Sequence, residues 1–310
     1  MHLYVDGELT ASIAAAFCEI TDEALRAGGD VVIAAENVKD VDAVGLAVLL
    51  QASRRAARLG VRLSVAASPL LHRALLDGGL LEDVRLDHGE STTGHDRIRA
   101  IPAVPSKQVG GVLVATSTMA LHLPAWDDLA YFDQWAAEPL LDQMLGSSVL
   151  YRCRHLGAYN ADFVAQVSAD PTSLTVLIVP AETGRPVGFV RLYQMNLVER
   201  FGFLETAVAD VRALRRGWGI AASRLLLSYA MDVLDLQRVE AKVYEYNVLS
   251  INALKRNGFV REGALRQARD YDGRRWDLLV YGILREEMAA QRERDGIERI
   301  TLWPSGALEA

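Results

Sequence analysis

The residues Arg215-Arg216-Gly217-Trp218-Gly219-Ile220-Ala221 have the composition of an anion cradle. An apolar, strand-like run over 201–211 precedes them. After them Leu225, Leu226, Tyr229, Ala230, Val233 and Leu234 recur at the spacing of one helical face. A strand that turns through two glycines into a helix leaves the first helical amides unpaired and pointing outward. Those amides and the positive helix end suit a pyrophosphate, and glycine removes the Cβ atoms that would keep phosphate oxygens off the backbone. A plain strand-to-helix turn carries the same Gly-x-Gly. The stretch is neither a P-loop, since no Gly-Lys-Ser/Thr follows, nor a dinucleotide fingerprint, since a third glycine and a later acidic residue are out of register. A second block lies downstream. Residues 236–246 alternate like a strand, with Val239, Ala241 and Val243 on one face, and lead into Asn247-x-x-Ser250 and Gly258-Phe259. Asn247 suits a helix start and Gly258 a helix end.

With these blocks in this order, residues 111–288 resemble the GNAT superfamily of acetyl-coenzyme A-dependent N-acetyltransferases. Arg216-x-x-Gly219-x-Ala221 is similar to that family's Arg/Gln-x-x-Gly-x-Gly/Ala loop, and Asn247-x-x-Ser250 with Gly258-Phe259 to its Asn-x-x-Ser/Ala…Gly-Phe element. Glu262-Gly263, Arg266, Tyr271-x-Gly273, Asp277 and Tyr281 resemble the branch of ribosomal-protein-alanine and nucleotide-amino-sugar acetyltransferases. The resemblance implies acetyl-coenzyme A as co-substrate, no metal, and a primary amine as acceptor: an amino sugar, an amino-acid-derived small molecule or a protein N-terminus. It implies that Arg215 to Ala221 hold the pyrophosphate. The pantetheine arm and thioester would lie along the backbone of Ala207, Val208 and Ala209, at the splayed end of the fourth strand. Asn247 and Ser250 would hold the coenzyme arm or a bound water.

Direct attack on an activated thioester needs an oriented amine, a base for its proton and stabilisation of the oxyanion. Glu205, at the start of the strand where the family often has a glutamate, is the candidate base; a salt-bridged glutamate is the alternative. The family's usual acid is a tyrosine in the helix after Asn247, and that column holds Leu254 here. Tyr244 and Tyr246, on the preceding strand, are the substitutes. A thiol is acidic enough to leave without a dedicated donor.

Around these residues the chain divides in two. A length of 310 residues, 51 % of them hydrophobic, is compatible with two cored domains and not with disorder. No apolar stretch approaches a membrane span, and the N-terminus starts at once as a strand with no leader pattern, so a cytoplasmic, bacterial-type protein is expected. Cys18 and Cys153 read as buried structural thiols. Most of the formal charge of −7 sits in residues 1–90, which argues against nucleic acid as a partner. Arg54, Arg55 and Arg58, opposite Leu46, Leu49 and Leu50, read as a solvated helix face.

Residues 1–87 alternate strand and helix: strands over 3–9, 30–35 and 60–65, helices over 13–26, 45–59 and 69–77, and a last short segment over 80–86. This pattern, with Gly7-Glu8-Leu9, Val31-Val-Ile, Asp42-Ala43-Val44-Gly45-Leu46 and Arg58-x-Gly60-Val61-x-Leu63, resembles a STAS domain, the fold of bacterial anti-sigma-factor antagonists. Phosphorylated antagonists carry a serine between the aspartate and the glycine. Ala43 and Val44 have no hydroxyl, so that switch is excluded at this site, and the domain is either a docking or self-association module or a small-molecule sensor. Residues 88–111 read as a linker; His88 and His95 within it lack the further ligands a metal needs. The remaining expectations are a first strand over 112–121, a helix over 126–145 whose Tyr131, Phe132 and Trp135 serve the core, central strands over 175–179, 186–195 and 203–211, and a tail over 289–310. The expected fold is α/β: a small STAS-like domain, then a GNAT-like α+β domain around a central mixed sheet at 112–288. The expected function is N-acetyl transfer. The alternative is a regulatory protein whose first domain docks a partner while the second binds coenzyme A as a ligand.

Overall fold

The computed structural model describes residues 1–87, 98–101, 111–210, 213, 216–295 and 298–303. His88, His95 and Arg215 lie outside the described residues.

In the N-terminal domain β1 (His2–Leu9), β2 (Val31–Val41), β3 (Leu63–Ala67) and β4 (Ile98–Ile101) form a parallel sheet in the order β3-β2-β1-β4. Helices α1 (Ala14–Arg26), α2 (Ala43–Leu59) and α3 (Pro69–Asp77) provide the crossovers. β4 falls inside the stretch that reads as linker. Helix α2 starts two residues earlier than its periodicity predicts, because Asp42 caps it: one carboxylate oxygen accepts from Gly45 N (2.8 Å), the other from Ala11 N (2.9 Å). Gly45 sits so close to β1 that a Cβ would lie 1.8 Å from Leu9 O. Ala43 and Val44, which stand where antagonists carry the phosphorylated serine, are fully buried.

The second domain holds an eight-stranded mixed sheet in the order β11-β12-β10-β9-β8-β7-β6-β5. Its strands are β5 (Val112–Ala115), β6 (Met119–His122), β7 (Leu174–Pro180), β8 (Gly188–Asn196), β9 (Phe201–Val208), β10 (Arg238–Tyr244), β11 (Val260–Tyr271) and β12 (Arg274–Leu284). All pairings are antiparallel except β9 with β10. Two expected single elements are divided. The strand expected over 112–121 is the β5–β6 hairpin. The helix expected over 126–145 is α4 (Leu129–Ala136) and α5 (Pro139–Leu145), because Pro139 can begin a helix but cannot continue one. Helices α6 (Ser148–Leu156) and α7 (Ala161–Ser168) follow. On the sheet's other face lie α8 (Trp218–Asp232) and α9 (Val248–Arg256), with α10 (Arg285–Asp295) after β12.

Two apolar clusters flank this sheet. Phe132, Trp135 and Phe163 pack with Phe189 on the α4–α7 side, which gives the aromatics of α4 their core role. On the α8 side Leu225, Leu226, Tyr229, Ala230, Val233 and Leu234 are all buried, in a cluster that continues into the N-terminal domain. Polar bonds seal that junction. Gln51 Nε2 donates to Val233 O (2.6 Å), and Trp303 Nε1 donates to Gln51 Oε1 (2.7 Å). Both cysteines are buried and free. Among the described residues no helix is long and apolar enough to cross a membrane.

Candidate active site

Strands β9 and β10 pair only over Phe201–Gly202–Phe203 against Arg238–Val239–Glu240, then diverge. The gap opens into a cleft of about 1060 Å³ lined by both strands, α8, α9 and the α5–α6 turn. Ala209 N–H bonds Val187 O (2.8 Å), in register with the β8–β9 ladder. Antiparallel alternation then points the amides of Ala207 and Glu205 toward β8 and those of Val208 and Thr206 toward the gap. Of the three residues expected to carry a thioester along their backbone, Val208 is the one whose amide faces the cleft. Thr206 is an addition that the sequence reading missed.

On one face of β9 stands the start of α8. Gly217 caps it with φ 87°, a left-handed conformation that glycine adopts without strain. Ala221 N–H makes the first helical bond, to Gly217 O (3.0 Å), so the amides of Trp218, Gly219 and Ile220 lie ahead of the ladder, as at any helix start. Gly217, Trp218, Gly219 and Ile220 line the cleft. A Cβ on Gly219 would sit 3.1 Å from Val208 Cγ2, so this glycine also sets how closely the helix approaches the strand. Ser223 Oγ reaches both Gly219 O (2.8 Å) and Thr206 Oγ1 (2.7 Å), fastening the turn to β9. Ala221 does not line the cleft, and Arg216 pairs at the surface with Glu182 (2.8 Å). The turn therefore fits a pyrophosphate through backbone amides, open space and the helix end.

On the other face stands Glu205. It is directly opposite Arg191 on β8, and its Oε1 is shut off from solvent with no hydrogen-bond partner. Burial pushes its carboxyl above the ordinary glutamate value, while Arg191 and the Ser147 hydroxyl pull the other way. Arg191 is itself 2 % exposed, with Nε and Nη1 unpartnered and its guanidinium 4.9 Å from the Tyr193 ring. Ser147 arrives as the N-cap of α6.

Tyr244 lines the cleft from β10. Its hydroxyl occupies the room where Gly146, at φ 58°, would carry a Cβ, only 2.0 Å away, and burial raises its pKa. Tyr246 is turned elsewhere: its hydroxyl donates to Gln143 O (2.6 Å) and its ring stacks on Tyr271 at 4.9 Å. Asn247 caps α9 by accepting from Ser250 N (3.1 Å), and its amide donates to Met144 O (2.9 Å), tying α9 to the end of α5. Asn247, Ser250 and Leu254 all line the cleft. Arg191, Ser147 and Gly146 escaped the sequence reading. Gly146-Ser147 carried a readable signal, a helix stop followed by a helix cap.

A mixed sheet whose one parallel pair splays apart carries a helix start on one side of the gap and a buried carboxyl on the other. In sequence, residues 119–260 match the acetyltransferase (GNAT) domain and residues 1–85 the Mlab-type STAS domain. The chain thus carries an N-terminal STAS domain followed by a GNAT N-acetyltransferase domain. Similar solved structures include the spermidine N-acetyltransferase of Vibrio cholerae in complex with CoA and spermine, at 18 % identity and a TM-score of 0.48, covering 56 % of this chain and 99 % of that one. Another is Mycobacterium smegmatis RimJ in complex with CoA-disulfide, at 22 % identity and a TM-score of 0.47, covering 60 % of this chain and 91 % of that one. Among curated proteins none matches this sequence.

Proposed function

We propose that this protein transfers the acetyl group of acetyl-coenzyme A to a primary amine by direct attack on the thioester. The observation that carries this reading is the buried, unpartnered Glu205 Oε1 on one face of β9, with the α8 cradle on the other and an open strand edge between them. Bound acetyl-coenzyme A supplies an acyl group that is already activated. The amides of Trp218, Gly219 and Ile220 hold its pyrophosphate. The amide of Val208 orients the arm, as a strand edge would bind another strand. Glu205 takes the proton of the incoming ammonium group; burial raises its pKa, which makes it a stronger base than an exposed glutamate. Arg191, opposite it across the strand pair, favours the ionised carboxylate. Tyr244, whose hydroxyl lies in the cleft, returns a proton to the departing thiolate in the role that Leu254 cannot fill.

The N-terminal domain acts as an association and control module that works through α2, since Gln51 on that helix bonds the end of α8 directly. The test of the transferase reading is release of free thiol from acetyl-coenzyme A across a panel of amino sugars, amino-acid amides and peptides with free N-termini. Amine-dependent release is the expected outcome. Coenzyme binding without release for any amine would favour the regulatory alternative.

A further inference from the structure

The arginines of α2 that read as a solvated face do not all face solvent. Arg54, Arg55 and Arg58 line a second cavity, of about 380 Å³, together with Gln51, Arg200, Asp235 and Trp303. Its walls come from both domains: α2 on one side, the β8–β9 and α8–β10 turns on the other, and the segment after α10 as a rim. Four guanidinium groups and one carboxylate line it. That carboxylate is already shared. Asp235 Oδ1 accepts from Arg200 (2.6 Å) and Arg285 (2.7 Å), and Oδ2 stands 3.7 Å from Arg54. Arg55 is held by Asp22 (2.7 Å) and lies over the Trp303 ring at 5.2 Å. Arg58 is exposed and has no ion pair or hydrogen bond among the described residues.

Two further observations agree that positive charge is in excess here. The Gln237 amide, with its oxygen turned inward, accepts from both Arg200 and Arg285. Burial pushes the Arg285 guanidinium down, and the neighbouring Arg200 charge adds to that against the help of Asp235. Guanidinium forks match the geometry of phosphate oxygens bidentately and remain charged. The volume lies at the lower end of the range for small-molecule pockets.

We propose that this interdomain cavity is a second anion site, distinct from the coenzyme cleft, that takes a small phosphorylated metabolite and fastens the STAS domain to the transferase domain. The site stands whether or not the chain transfers acetyl groups. The experiment is calorimetric titration of inorganic pyrophosphate into the full chain presaturated with coenzyme A, which fills the α8 cradle. One further site per chain is expected, weakened by added salt. Arg58→Glu, a change at a side chain that bonds none of the described residues, should keep the melting temperature and coenzyme uptake while weakening pyrophosphate at least about tenfold, one charged contact's worth. No uptake at millimolar pyrophosphate, or uptake unchanged in Arg58→Glu, would overturn the proposal. Citrate binding as tightly as pyrophosphate would overturn the phosphate assignment. Failure of coenzyme A itself to bind would count against the transferase reading alone, because the wild-type and Arg58→Glu titrations still decide this site.

Discussion

The two faces of β9 are built by different means, and the proposed reaction asks a different thing of each. On the α8 face the contacts are backbone and small side chains: Val208 against Gly219, and Thr206 through Ser223. On the opposite face a carboxyl, a guanidinium and a hydroxyl come from three separate segments, as Glu205, Arg191 and Ser147. Phosphates can be bound by any backbone that exposes amides at a helix start, so that face needs little beyond glycine and a turn. The proposed proton transfer needs a particular side chain at a particular protonation state, and the other face brings together residues far apart in sequence.

The contrast can be tested by damaging each face alone. Gly219→Glu should have the largest effect. It crowds Val208 and brings a negative charge to the positive end of α8, and coenzyme affinity measured by calorimetry should fall on the order of 100-fold. Gly219→Ala asks Val208 to give only slightly, so an equal loss there would mean that packing, not charge, governs the cradle.

Glu205→Gln should leave coenzyme affinity in place and lower kcat by about 100-fold. Its pH profile adds a second reading. Burial raises the Glu205 carboxyl above 4.5, and the proposed base works only when ionised, so the wild-type rate should climb with pH through a value above 4.5. That limb should vanish in the variant. A variant that kept the limb would move the base to another residue.

The smallest contrast lies between two neighbouring tyrosines. Tyr244→Phe removes a hydroxyl that faces the cleft and should slow thiol release about tenfold, less than a positioned proton donor usually contributes because a thiolate leaves readily. Tyr246→Phe removes the bond to Gln143 O and should cost about 1 kcal/mol of stability, read by denaturant titration, with turnover within about twofold. Reversed results would exchange their roles.

Much of this architecture was legible beforehand. The buried stripe of α8, the Asn247 cap and the alternation of the N-terminal domain follow from local periodicity and capping, which one segment displays by itself. The misses have different origins. β4 is four residues long and is a strand because β1 offers it an edge. The break between α4 and α5 was visible in Pro139 but was overridden by the apolar pattern on either side.

The sequence alone determined the strand–helix alternation of residues 1–77, the glycine turn before α8 and the absence of a hydroxyl at Ala43 and Val44, because these depend on residue type and near neighbours. The tertiary structure decided which side of β9 each group serves, that Glu205 meets Arg191, that Tyr246 spends its hydroxyl on Gln143, and that the arginines of α2 close a cavity against Asp235. Those outcomes rest on strand register and domain docking, in which one residue of slip reverses a side chain's face, and no local pattern carries that information.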